Sequence, residues 1–277
     1  MAEKKKTPSW ALDPLERLLN QIQHAAQLLH ISMRGISVLI GMPTVFEAIA
    51  KAEPPSDGAD YRARLDRARE EADLAQSEVD LGFPLLHAQA TISLWGDLEN
   101  AVRTFLAAWL TNEPTARNIE SVCKLKVCLG EYESMDPDER SYYIVERLEQ
   151  EIEPRNRRGV ERFESLLEPF GFAGPLDKQL KRDLLELYHV RNVLVHRRGV
   201  ADRRLVQACP WLNLSVGQQI AVTQESYAKY NSAVAAYVLE LVVRIAARFG
   251  FNRSDLIQEP PSSTGSPPRA PGPVDPS

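Results

Sequence analysis

The sequence predicts an all-α protein, a helical bundle with a small β-hairpin before its last helix. Apolar residues recur with a 3.6-residue period from Trp10 to Gly250. Proline and glycine break that pattern at Pro43, Pro54 and Pro55, Gly82 to Pro84, Pro114, Pro137, Gly171 to Pro175 and Gly199, spelling helices joined by turns. One short stretch abandons the helical period for alternation. With 277 residues, 44% hydrophobic and 26% charged, the chain is globular and long enough for one large domain or two small ones.

Taken in order, the start MAEKKKTPSW has a basic cluster but no apolar run behind it, so residues 1–9 read as a flexible N-terminus without a secretory signal. The apolar stretch Ile36 to Met42 is broken by Gly41 and Pro43, far short of the roughly 20 residues of a membrane span, and a cytoplasmic chain making no membrane contact is expected. Residues 58–81 are densely charged with few large apolar side chains, a solvated helix. They complete an N-terminal helical module over 10–81, set apart from a bundle over 84–250.

Within that bundle Ile92, Trp95, Leu98, Val102, Phe105 and Trp109 form one stripe at gaps of three and four, a long core helix from Pro84 to Leu110. Asp136, Pro137 and Glu139 form a capping-box start for a helix carrying Ile144, Val145, Leu148 and Ile152. Leu176, Leu180, Leu184, Leu187 and Leu194 mark another helix. Tyr227, Val234, Tyr237, Val238, Leu241, Ile245 and Phe249 mark the last, with Thr223 as N-cap and Gly250 as C-cap. Between them, Leu212 to Val216, the turn Gly217-Gln218, and Gln219 to Val222 read as the hairpin. Seven prolines between Glu259 and Ser277 assign residues 251–277 to a disordered tail, with a proline-rich docking ligand as the sharper alternative.

A net charge of -5 excludes a global pull toward nucleic acid, so any such role must rest on a local patch. Cys123, Cys128 and Cys209 match no zinc or disulfide framework and read as reduced thiols. His24, His30 and His87 lack carboxylates at ligand spacing; no metal and no cofactor are expected. No P-loop, glycine-rich nucleotide fingerprint or nucleophile elbow occurs.

One local patch stands out. From Lys181 to Arg204, Lys181, Arg182, Arg191, Arg197, Arg198, Arg203 and Arg204 face only Asp183, Glu186 and Asp202. Either a solvated helix face with i,i+4 pairs such as Arg182 and Glu186 or a phosphate-binding surface accounts for it. Inside it lies Arg191-Asn192-Val193-Leu194-Val195-His196, at the end of the Leu176 helix. Metal-free RNA cleavage needs a base for the 2′-OH proton, an acid for the leaving 5′-oxygen and a cation for the phosphoryl charge. Histidine moves protons near neutral pH and arginine offers a permanent bidentate charge.

Helix, motif and sequel together resemble the HEPN superfamily, in which a helix ends in Arg-x4-6-His, often Arg-Asn-x-x-x-His. The match runs from Glu186 through His196 into Gly199-Val200-Ala201-Asp202, the hairpin and a closing helix, and Trp95-Gly96-Asp97-Leu98-Glu99 resembles the family's first core helix. The resemblance covers about 84–250 and leaves 1–81 unexplained. It implies a metal-independent endoribonuclease with Arg191 and His196 as the catalytic pair and Asn192 auxiliary, in a toxin-antitoxin or phage-defence role with an antitoxin or defence partner. It equally allows a non-catalytic module binding RNA, a nucleotide or a protein. One histidine is too few for two proton transfers, so a homodimer pairing two motif helices is expected.

Residues five apart lie about 140° apart on a helix, so Arg191 must reach around to His196, whereas Asn192 and His196 share a face. Arg197 and Arg198 are assigned to substrate binding. Glu99 is placed with them, as a carboxylate that orients Arg191 or His196; a plain rim carboxylate is the alternative. His189 reads as a partly buried structural residue, with proton transfer the alternative. Lys124, Lys126, Arg155, Arg157 and Arg158 would extend an RNA track or be ordinary surface. Some HEPN toxins carry a modifiable Tyr two residues past the histidine, where this chain has Arg198.

Overall fold

A computed structural model describes residues 7–152 and 158–251. The Pro-rich tail, the basic start and Arg155 and Arg157 therefore lie outside the described residues, apart from Phe251 and residues 7–9 at their borders.

The described residues form eleven α-helices and no strand. The order is α1 (Ser9–Leu39), α2 (Met42–Ala52), α3 (Gly58–Leu81), α4 (Pro84–Asn112), α5 (Glu120–Cys123), α6 (Leu129–Ser134), α7 (Pro137–Glu151), α8 (Glu161–Leu167), α9 (Lys178–Arg197), α10 (Arg203–Ala208) and α11 (Gln224–Arg248).

α4 is the axis of the bundle. Trp95, Leu98, Val102, Phe105, Leu106, Trp109 and Leu110 are buried along it, and α1, α7, α8, α9 and α11 pack around it. Each buried Leu, Val or Phe there contributes on the order of 1.5–3 kcal/mol. Trp109 sits edge-on to Phe172 at 4.6 Å and meets Trp10 of α1 at 5.6 Å, while Trp95 contacts Phe163 at 5.2 Å and Tyr188 at 5.4 Å. The first half of α1 buries Ala11, Leu15, Leu18 and Ile22 in this same core. α1 and α2 also pack on α3, which buries only Leu65 and the alanines 68, 72 and 75, as a charged helix with small contact residues can.

The caps read from the sequence are present. Asp136 Oδ1 accepts from the backbone of Asp138 and Glu139, both at 2.9 Å, and Glu139 accepts from the Asp136 N–H at 2.9 Å. Thr223 Oγ1 accepts from the Ser226 N–H at 3.1 Å, and Gly250, at φ 83°, closes α11. α11, and α1 with α2 as one bent pair, are long and apolar enough to cross a membrane by length and composition; the apolar face of α11 is buried here against α4 and α9.

The predicted hairpin does not form. Pro210–Leu212 is a 3-10 turn and Asn213, at φ 51°, turns the chain away, so the alternating residues 212–216 never extend. The segment pairs instead with the chain leaving α9: Ala201 N–H donates to Gln218 at 2.8 Å, Gly217 N–H to Ala201 at 2.8 Å and Ile220 N–H to Gly199 at 2.8 Å. A single bridge, Val200 with Gln219, is all the β-structure that results. Alternation records which residues face the core and leaves open which neighbour satisfies the backbone.

Candidate functional site

The site is built on the last three turns of α9, and two anchors hold them. Glu186, 1% exposed, accepts from Trp211 Nε1 at 2.7 Å, Lys229 Nζ at 2.5 Å and Tyr230 OH at 2.8 Å, tying α9 to α11 and to the 210–212 turn. Burial and the Glu186 charge push the Tyr230 phenol well up, and burial pushes the nearby Cys209 thiol up to about 12, so both stay neutral. At the other end, Arg198 and Gly199 adopt left-handed conformations at φ 52° and 78°, and Gly199 N–H closes on the Val193 carbonyl at 3.1 Å. A Cβ at position 199 would lie 2.7 Å from Gln219 Nε2, so glycine serves both the turn and the close approach of the returning chain.

Beside this helix is a cavity of about 640 Å³. His189, Asn192 and His196 line it from α9, with Arg197 at its edge; Arg204 of α10 and Arg158, just before α8, line the other walls. His196 is exposed, as are the three arginines, and among the described residues none of these arginines is bonded to a carboxylate. Asp202, the one acidic residue of the lining, is committed as N-cap of α10, accepting from the Leu205 N–H at 2.8 Å. Three free guanidinium groups around an amide and an imidazole form a setting for an anion, phosphate above all.

Arg191 is not part of the cavity lining. The angular offset of five residues places it on the neighbouring face, partly buried, where Nη1 donates to Asn192 Oδ1 at 3.0 Å. This bond occupies the amide oxygen of Asn192 and leaves its NH₂ as the group to offer a ligand. Arg191 Nε is buried without a partner.

His189 is only 7% exposed, and its Nε2 is buried with no hydrogen-bond partner. Its ring meets Tyr188 edge-on at 5.0 Å. Burial, helped by the positive charges of Arg158 and Arg204 and opposed by Asp202, lowers its pKa below 6.5, so it is held neutral. An unmet buried polar group costs about 1–3 kcal/mol.

The remaining candidates lie elsewhere. Glu99 accepts from Arg162 Nη1 at 2.6 Å, and Arg162 also reaches Glu149 at 3.1 Å, which in turn holds Arg103 at 2.8 Å. Glu99 thus belongs to an ion-pair network joining α4, α7 and α8, not to the cavity beside His196. Arg198 is exposed, and its carbonyl accepts from Gln219 Nε2 at 3.1 Å. Lys124 pairs with Glu120 and lines a separate cavity with Leu148 and Glu151, and neither Lys124 nor Lys126 lines the cavity beside His196. His87 is buried and its Nδ1 donates to the carbonyls of Phe83 at 3.0 Å and Gly82 at 3.1 Å, a helix-start role. Arg204 and Asp202 were visible in the sequence only as charge, because nothing in the spacing shows that α10 folds back against α9. Comparison with family models, with curated proteins and with solved structures gives no match.

Proposed function

We propose that the chain is a metal-independent endoribonuclease of the HEPN type, acting as a dimer on RNA in a toxin-antitoxin or phage-defence role. One observation carries this reading: His196 is exposed in a cavity that also presents Asn192 and three arginines that, among the described residues, bond to no carboxylate. His196 moves a proton, Asn192 donates its NH₂ to a phosphate oxygen, and Arg158, Arg197 and Arg204 draw in the polyanion. Arg191 fixes Asn192 from its own chain and supplies phosphate-binding charge to a second copy across the dimer. Arg198 contributes positive potential at the rim.

The second reading, a non-catalytic module that binds RNA, a nucleotide or a protein through this face, is favoured by the Arg191 to Asn192 bond, which commits Nη1 and the amide oxygen to each other within one helix. A labelled RNA pool incubated in EDTA with wild type and with His196→Ala separates them. Cleavage by wild type alone, leaving 2′,3′-cyclic phosphate ends, is the expected result. A folded wild-type protein that retains RNA without cutting it moves the assignment to the binding module.

A further inference from the structure

We infer that His189 is the second proton-transfer group of this site, so that one copy of the chain holds both imidazoles around the scissile phosphate. This rests on the endoribonuclease reading above. Positions 189, 192 and 196 fall within about 60° of one another on the helix, with Asn192 about 4.5 Å along the axis from His189 and about 6 Å from His196. The cavity is thus lined in turn by an imidazole, an amide and an imidazole. A phosphoryl group seated over the Asn192 NH₂ has one imidazole on the side of its attacking oxygen and the other on the side of its leaving oxygen.

Two independent observations assign His189 to the ligand rather than to the core. It is more than nine-tenths buried, yet Nε2 has no partner, while the other buried histidine, His87, is satisfied by backbone carbonyls. It also lines the same cavity as His196, at the inner end of the row. The charged and titratable groups facing it are Tyr188 on its own helix, Arg158 ahead of α8, and Asp202 and Arg204 at α10. Burial, with Arg158 and Arg204 and against Asp202, keeps the ring neutral, the state a base requires.

The step balances without an oxidant or a metal. His189 Nε2 takes the 2′-OH proton, the 2′-oxygen pair forms the bond to phosphorus, the bond from phosphorus to the 5′-oxygen breaks with its pair on oxygen, and protonated His196 delivers a proton there. The products are a 2′,3′-cyclic phosphate and a 5′-hydroxyl, and water returns the two imidazoles to their starting states.

An RNA oligonucleotide carrying sulfur in place of the bridging 5′-oxygen at a mapped cleavage site tests this, because a thiolate leaves without a proton. On the ordinary RNA, His196→Ala and His189→Gln are each expected to lose about 100-fold or more in rate. On the thio substrate His196→Ala recovers and His189→Gln does not. Full activity of His189→Gln, or loss by His196→Ala on both substrates, overturns the inference in favour of two His196 rings across a dimer. Wild type that cuts neither substrate overturns the nuclease reading with it. Should His189→Gln fail to fold, His189→Asn is put to the same two substrates, and loss on both upholds the assignment while full activity overturns it.

Discussion

At residue scale the most informative side chains are the two histidines seven apart on α9. His189 is held neutral by burial. Its folded pKa is lowered, so on acidification the unfolded chain takes up a proton near 6.5 before the folded chain does. Stability therefore stands in full above pH 6.5, falls as the pH drops below it, and stops falling below the folded pKa. Denaturant titrations between pH 7.5 and 5 should show this slope in wild type and a shallower one in His189→Gln. His196 is exposed at the helix end, so His196→Ala should change stability by no more than about 0.5 kcal/mol, read by thermal melts, and under the proposed nuclease reading lower cleavage of ordinary RNA about 100-fold. Glu186 is the opposite case. Its replacement by Ala leaves the buried Tyr230 hydroxyl and the Trp211 indole without an acceptor and should cost about 2–3 kcal/mol in urea unfolding.

At the scale of elements, the end of α9 is shaped by its exit. Gly199 allows the left-handed turn and lets residues 217–220 return against residues 199–201. Gly199→Ala should cost about 1–2 kcal/mol from backbone conformation alone, and truncating Gln219 in the same chain relieves only the contact. Urea midpoints of the single and double variants separate the two terms. Helix starts and stops were legible in residues such as Asp136, Thr223 and Gly250, because a cap is a local hydrogen-bond problem solved within four residues. The hairpin was misread for the converse reason: the partner of Ile220 is Gly199, and no local pattern names a partner 21 residues away. The same holds for Glu99, whose position beside a core stripe gave no sign that Arg162 would claim it.

For the whole molecule, the first half of α1 and the long α4 share one core, with Leu15 and Leu98 fully buried. Leu15→Ala and Leu98→Ala should each cost about 2–5 kcal/mol and lower a single cooperative transition followed by calorimetry, since both remove atoms from the same packing. The helical class, the core stripes of α4, α9 and α11, and the placement of Asn192 and His196 on one face were all determined by the sequence, because periodicity and capping are short-range consequences of 3.6 residues per turn. Tertiary structure alone decided that Arg158 and Arg204 arrive from distant segments to surround His196, and that His189 keeps an unpaired ring nitrogen. Those outcomes depend on which helices pack together, and a side chain's partner across a bundle is set by that packing rather than by its neighbours in the chain.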